Sequence, residues 1–290
     1  MINLNFQQIF KLMRPKQWIK NFFVFAAMIF SGKFTDLHIF IINIFVFAMF
    51  CLVSSCVYIL NDLVDVNKDR QHPEKKNRPI ASGKVTKLQA IIAEIILLIL
   101  VFTICYKIDL KLLVVFLLYF IINIFYSFKL KNVVIIDVMI ITFGFVLRVE
   151  SGSVATNVQL SPWMILCTIL ISLFMSLNKR KSEIITLKDT SGNHRRILDE
   201  YSVDLIENML TIVTPSILIA YCLYTFSSIQ SRTMMLTIPF VLYGIFRYQY
   251  LMMKRNIGGK PEDVFQKDIP FLINVILWGI TVISIIYFKL

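Results

Sequence analysis

Nine apolar stretches follow one another along this chain, at 19–33, 37–61, 87–105, 110–127, 133–150, 162–180, 204–227, 233–252 and 269–288. Segments of about 20 residues with so little charge leave few folds open. A backbone in hydrocarbon must bond to itself, and a helix does so within one segment. Composition agrees: 57% of the residues are hydrophobic and the mean hydropathy is +0.73, well above a soluble domain. The pattern predicts an all-α membrane protein, a nine-transmembrane-helix bundle forming one integral-membrane domain over residues 1–290. No linker rich in Pro, Gly or Ser divides it. Residues 1–17 mix polar groups with Ile2, Leu4, Phe6, Ile9, Phe10 and Met13, and are expected to form an interfacial helix.

The net charge of +12 raises nucleic acid as a partner, but the distribution of the charge argues against it. If the nine stretches alternate direction, 23 of the lysines and arginines fall on the side of the N-terminus and five on the other. Such an excess marks the cytoplasmic side of a membrane protein. The N-terminus is therefore expected inside and the C-terminus outside, in a multi-pass protein of the cytoplasmic membrane. No nucleic-acid partner is expected. The five cysteines (Cys51, Cys56, Cys105, Cys167, Cys222) lie within or beside apolar stretches without metal-ligand spacing, and are read as small core residues. No cleavable signal peptide is expected, since the first 17 residues lack a short apolar core followed by a small-residue cleavage site.

The charged segment after the second stretch carries the chemistry. Residues 61–83 read NDLVDVNKDRQHPEKKNRPIASG. At 100° per residue, Asn61, Asp65 and Asp69 fall at about 0°, 40° and 80° around a helix, and Asp62 at about 100°. Four oxygen-bearing side chains thus share a face where a membrane helix ends. Carboxylates at a membrane edge are expensive unless paired or metal-bound. Hard oxygen ligands of this kind suit Mg²⁺, which takes one or two carboxylates and completes its shell with phosphate oxygens. Five cations follow at once, Lys68, Arg70, Lys75, Lys76 and Arg78, and suit the phosphates themselves. The topology puts this segment in the cytoplasm, facing a diphosphate bound through Mg²⁺. His72-Pro73 reads as a turn and Arg78-Pro79 as a rigid re-entry.

The stretch N-D-x-x-D-x-x-x-D-x-x-H-P-x-K-x-x-R-P-I-A-S-G closely resembles the first Asp-rich motif of the UbiA superfamily of intramembrane prenyltransferases. That resemblance implies nine helices around a lipid-filled cavity, with Mg²⁺ and a diphosphate at its cytoplasmic mouth. Further stretches are similar to one branch, the decaprenyl-phosphate phosphoribosyltransferases. They are Arg14-Pro15-Lys16-Gln17-Trp18-Ile19-Lys20-Asn21, Tyr126-Ser127 with Leu130-Lys131, Asp137, Gly144-Phe145-Val146-Leu147-Arg148, Lys179-Arg180-Lys181-Ser182-Glu183 and His194-Arg195-Arg196-Ile197-Leu198-Asp199-Glu200-Tyr201-Ser202. The branch implies transfer of 5-phosphoribose from phosphoribosyl diphosphate to a polyprenyl phosphate. It implies Asp62, Asp65 and Asp69 as catalytic groups, with Asn61 completing the metal set. Lys16, Lys20, Lys75, Arg78, Tyr126, Lys131, Asp137, Lys179, Arg180 and Glu183 would bind substrate.

One departure separates this chain from ordinary members of the superfamily. Those carry a second motif, D-x-x-x-D, at the cytoplasmic end of helix 6, where this chain has Lys179-x-x-x-Glu183. A cation there suits two substrates that both carry phosphate, and a neutral aromatic acceptor would not require it. Asp137 is expected either to pair with Lys131 or to join the sugar site, and Arg148 with Glu150 to pair locally. Two alternatives stay open. One is a prenyltransferase with a prenyl diphosphate donor and a quinone-precursor or glycerol-type acceptor. The other is a transporter or lipid carrier, which would place its charges at the midplane beside broken helices, whereas here they gather at one face.

Overall fold

The computed structural model describes all residues except 1–5, 72–74, 189–196, 228–231, 256–258, 260 and 290. The expected turn at His72-Pro73 and the cations His194, Arg195 and Arg196 lie outside the described residues. Every regular element among the described residues is helical: α1 (Phe6–Leu12), α2 (Ala26–Phe30), α3 (Leu37–Val64), α4 (Val66–Gln71), α5 (Lys87–Ile108), α6 (Leu110–Phe128), α7 (Ile136–Thr156), α8 (Pro162–Lys188), α9 (Ile197–Glu200), α10 (Val203–Ser227), α11 (Ile238–Arg255), α12 (Pro261–Lys267) and α13 (Ile269–Phe288), with short 3₁₀ segments between. Seven of these, α3, α5, α6, α7, α8, α10 and α13, are long and apolar enough to cross a membrane. The outward side of α5 shows why: Leu88, Ile91, Ile92, Ile95, Ile96 and Ile99 are all exposed at helical spacing, a face that suits lipid rather than water.

The other two expected stretches are helical but built differently. Residues 19–33 fall in a 3₁₀ segment, Pro15–Phe25, followed by the five-residue α2 and a turn at Gly32 (φ 73°). The buried Asn21 makes this stretch more than a greasy span, since its amide donates to Cys51 Sγ and Ser54 Oγ on α3. Residues 233–252 begin in a 3₁₀ segment, Arg232–Thr237, and continue in the 18-residue α11, which carries Arg247. The N-terminal arm forms α1 over Phe6–Leu12 and no further, because Arg14 adopts a left-handed conformation (φ 54°) just before Pro15.

The chain forms two compact units. The first comprises Met1–Met28, Asp36–Lys131 and Leu147–Val158. Its core is Val24, Val46, Phe50, Val53, Val101, Leu112, Phe116 and Leu147, with Phe50 against the rings of Phe116 and Tyr119. A smaller cluster, Leu12, Ile59, Val66, Ile80, Val85 and Ala90, fastens the acidic segment and the loop behind it to α3 and α5. Side-chain caps start these helices cleanly. Asp36 accepts from His38 and Ile39 N–H, Thr86 and Gln89 form a reciprocal capping box, and Asp109 accepts from Lys111 N–H. Gly152 on α7 lets the backbone of Val24 pass close, since a Cβ there would lie 1.9 Å from Val24 O.

The second unit comprises Ile29–Thr35, Asn132–Val146 and Gln159–Leu290. Phe174, Leu177, Ile184, Ile197, Ile206, Tyr248, Leu251 and Phe271 make its main core. A second cluster gathers Tyr221, Tyr224, Met234 and Trp278, with Tyr221 OH bonded to Thr237 and accepting from Trp278 Nε1. Asp268 caps α13 and is held below the usual carboxylate range chiefly by the Arg247 guanidinium, 2.7 Å away.

Candidate functional site

In the first unit the acidic segment straddles a helix break. α3 ends at Val64, Asp65 caps it, and α4 starts at Val66, so the four oxygen-bearing residues do not share one unbroken helix. The stacking survives because the hydrogen bonding does: Asp65 N–H reaches Asn61 O and Asp69 N–H reaches Asp65 O, each at 2.9 Å. Asn61, Asp65 and Asp69 therefore stand on successive turns, as their spacing requires.

Each aspartate meets a cation. Lys131 Nζ lies 2.7 Å from both oxygens of Asp65. Arg78 Nη1 bridges Asp62 Oδ1 at 3.0 Å and Asp69 Oδ2 at 2.6 Å, and Arg14 pairs with Asp62 Oδ1 as well. Asp62 is 2% exposed and Asp69 4%. The loop is shaped to deliver Arg78: its N–H bonds Lys75 O, its carbonyl accepts from Ser82 N–H, and Val85 N–H closes onto Pro79 O. Arg14 stacks 5.0 Å over the ring of Tyr58, and its left-handed backbone is the sort of local strain that surrounding contacts must hold. A cavity of about 280 Å³ opens here, lined by Lys11, Arg14, Asp62, Asn77, Arg78 and Pro79.

Among the described residues no three His, Cys, Asp or Glu side chains converge into a ready-made metal cage. The donor set nevertheless fits Mg²⁺, because Asn61, Asp65 and Asp69 offer hard oxygens on successive turns and this ion takes its remaining ligands from phosphate and water.

A second cluster lies in the other unit. Asp137, fully buried, receives Arg180 Nε at 2.7 Å on Oδ2 and the hydroxyl of Tyr201 at 2.8 Å on Oδ1. The same Tyr201 oxygen accepts from Ile135 N–H at 2.8 Å, pinning a β-branched residue at φ 69°. Arg180 also pairs with Glu183. Burial pushes the Tyr201 phenol up from 10.0 to about 12, and its bond to the Asp137 carboxylate adds to the rise. The expected pairing of Asp137 with Lys131 is not found: Lys131 is engaged with Asp65, and Arg180 takes the place beside Asp137. Arg180, expected on phosphate, is buried between two carboxylates.

Lys16 is exposed, and Lys20 Nζ bonds Gln17 Oε1 at 2.6 Å. Lys75, Tyr126 and Lys179 are half-buried. Local pairing of Arg148 with Glu150 is corrected: Arg148 donates to Asn21 Oδ1 at 2.8 Å and Tyr119 OH at 3.0 Å and stacks on Phe50. Its α7 position turns it toward the apolar core, where an amide and a phenol supply what the core cannot. Sequence reasoning passed over Lys11, Arg14 and Asn77 as cavity residues and Tyr201 as the partner of Asp137. Only the concentration of cations in residues 11–20 hinted at the first two.

The profile of the UbiA prenyltransferase family matches residues 21–276. The decaprenyl-phosphate phosphoribosyltransferase of Mycolicibacterium smegmatis is 31% identical, the match covering 97% of this chain and 93% of that one. The protein of the same name from Corynebacterium glutamicum is 30% identical over 96% of this chain and 86% of its own length. Among solved structures, a UbiA homolog from Archaeoglobus fulgidus bound to GPP and Mg²⁺ superposes with a TM-score of 0.74 at 16% identity, covering 96% of this chain and 99% of the other. That last likeness is one of fold.

Proposed function

This chain belongs to the UbiA prenyltransferase family, and we propose that within it the protein transfers 5-phosphoribose from phosphoribosyl diphosphate to a polyprenyl phosphate of the decaprenyl type. The observation that carries this reading is near-full-length likeness to two proteins of that name. The lysine at the place of an expected second acidic motif supports it, because both substrates then bring phosphate.

In the reaction the bond between the anomeric carbon and the diphosphate oxygen breaks, and a lipid phosphate oxygen bonds to that carbon. The electron pair leaves with pyrophosphate. The lipid phosphate is already ionised near neutral pH, so no general base is needed and catalysis rests on positioning and electrostatics. Asn61, Asp65 and Asp69, with Asp62 beside them, would hold Mg²⁺. That ion would neutralise charge building on the leaving diphosphate. Lys131 and Arg78, already beside these carboxylates, are set to exchange them for phosphate oxygens. Lys16, Lys20, Lys75, Tyr126 and Lys179 supply further phosphate contacts. Asp137, with Glu183, holds Arg180 in place. The chain acts as a single integral-membrane domain of nine spans in the cytoplasmic membrane, N-terminus inside, C-terminus outside and active site facing the cytoplasm, in keeping with the charge distribution.

The test is turnover of radiolabelled phosphoribosyl diphosphate by the purified protein with polyprenyl phosphate, with and without Mg²⁺. Label in the lipid phase supports the reading. Label there only when a prenyl diphosphate and a quinone-precursor or glycerol-type acceptor replace these substrates would make the protein an ordinary prenyltransferase.

A further inference from the structure

We infer that Ser55, on α3 ahead of Asp62, is a positioning residue for the proposed transfer: its one hydroxyl holds the chain on both sides of Arg14 and so sets the Arg14 guanidinium on Asp62. This role rests on the reaction proposed above, to which it adds a fully buried residue outside the cavity.

Arg14 is the conformation that needs holding. A residue with a Cβ at φ 54° sits in a sparsely populated region, and it persists there only where its surroundings fix it. Ser55 Oγ donates to Met13 O at 3.0 Å and accepts from Trp18 Nε1 at 3.1 Å. The clamp therefore closes on the residue before Arg14 and on an indole in the 3₁₀ segment after it. A serine in a helix ordinarily turns its hydroxyl back to a carbonyl of the preceding turn, and Ser55 does reach Cys51 O at 2.7 Å. The bonds to Met13 and Trp18 are what this place adds.

The same face of α3 carries the rest of the seat. Ser55, Tyr58 and Asp62 stand at i, i+3 and i+7, within about 60° of one another around the helix. The Arg14 guanidinium lies 5.0 Å over the Tyr58 ring, and Asp62 Oδ1 receives it. Backbone, ring and charge thus share one stripe, and freeing the turn at its hydroxyl end withdraws the guanidinium from the other two. Asp62 is buried and shares Oδ1 between Arg14 and Arg78, so loss of one cation leaves a carboxylate beside the metal set poorly matched in charge. Asn21 bonds Ser54 and Cys51 further along the arm. Those bonds keep the arm attached when the Ser55 hydroxyl is removed and confine the change to the Arg14 turn.

The test is a double-mutant cycle on the full-length protein in detergent, with Ser55→Ala and Arg14→Gln made singly and together. Ser55→Ala should lower kcat/KM for the diphosphate donor about tenfold, the worth of one hydrogen bond, and leave KM for the acceptor within about twofold. In the Arg14→Gln background the same substitution should change kcat/KM by less than about twofold, because its effect passes through Arg14. Amide hydrogen exchange should quicken over residues 13–18 while α3 and α5 keep their protection. An undiminished effect in the Arg14→Gln background, a wild-type rate in Ser55→Ala, or unaltered exchange over residues 13–18 overturns the role. Where Ser55→Ala does not fold, Trp18→Phe, which removes the indole N–H and keeps an aromatic ring, takes its place in the cycle with the same expectations. The cycle uses whichever diphosphate donor the wild type accepts. Refusal of phosphoribosyl diphosphate in favour of a prenyl diphosphate removes the proposed reaction and leaves Ser55 to be judged by the cycle, while an additive cycle with phosphoribosyl diphosphate removes only the role of Ser55.

Discussion

Lys131 places its ammonium 2.7 Å from both carboxylate oxygens of Asp65, a residue 66 positions earlier in the chain. The lysine side chain is 7% exposed, while that of Asp65 is more open at 18%. Under the proposed function, the Lys131 ammonium occupies the place beside Asp65 that the metal would take. Asp65→Ala should therefore abolish turnover, by about 10²-fold or more, through loss of electrostatic stabilisation at the leaving group. Lys131→Met should lower activity and also stability, by less than the ~3–5 kcal/mol of a fully buried broken pair because Asp65 can still reach water. Steady-state rates and melting temperatures in detergent measure both. Near-normal turnover by Asp65→Ala at ordinary Mg²⁺ would remove the metal assignment.

Lys179 separates the two enzyme readings. Lys179→Asp puts a negative charge where phosphate oxygens are expected, and should lower kcat/KM for phosphoribosyl diphosphate, polyprenyl phosphate or both. It also recreates the acidic pattern of ordinary prenyltransferases, with Glu183 as second member. In an ordinary prenyltransferase the change would be tolerated or would help. Unchanged kinetics in both Lys179→Asp and Lys179→Ala would show that this lysine serves topology alone.

Tyr201 gives a pH signature. Its folded pKa is raised to about 12 from 10.0, so the protonated phenol is favoured in the native state. The stability this contributes is complete below pH 10 and is lost as pH rises toward 12. Tyr201→Phe should lose about 1–3 kcal/mol at neutral pH, since Asp137 and Ile135 N–H both lose a partner, and should flatten the alkaline decline. Thermal melts from pH 7 to 12 test this; a variant that melts like wild type at every pH would show the bridge carries no stability.

Gly152→Ala tests the packing of the first unit. The new methyl would meet Val24 O at 1.9 Å, so α7 or the segment through Val24 must shift. Overpacking of this kind costs about 1–3 kcal/mol. A lower melting temperature is expected, and an unchanged one would mean that the backbone of Val24 yields freely.

A C-terminal reporter tests the orientation. Fused after Leu290, it should be active only outside the cytoplasm, because the lysines and arginines cluster on the side of the N-terminus. Activity inside would remove one span from the nine.

The apolar stretches determined by themselves that this is an all-helical membrane protein, since each signals its own helix through local composition and no distant partner is needed to form it. The spacing of Asn61, Asp65 and Asp69 likewise placed three oxygens in line, because i to i+4 geometry is a property of the backbone and persists across the break at Asp65. What no window could show was pairing at long range. That Lys131 goes to Asp65 while Asp137 goes to Arg180 and Tyr201, that Arg148 leaves Glu150 for Asn21 and Tyr119, and that Arg14 turns left-handed to reach Asp62 are all choices among many chemically equal cations and acceptors. Composition cannot rank such choices. Packing does, because a buried charge is stable only where the fold brings a counter-charge or hydrogen-bond partner within about 3 Å, and that meeting belongs to the tertiary structure alone.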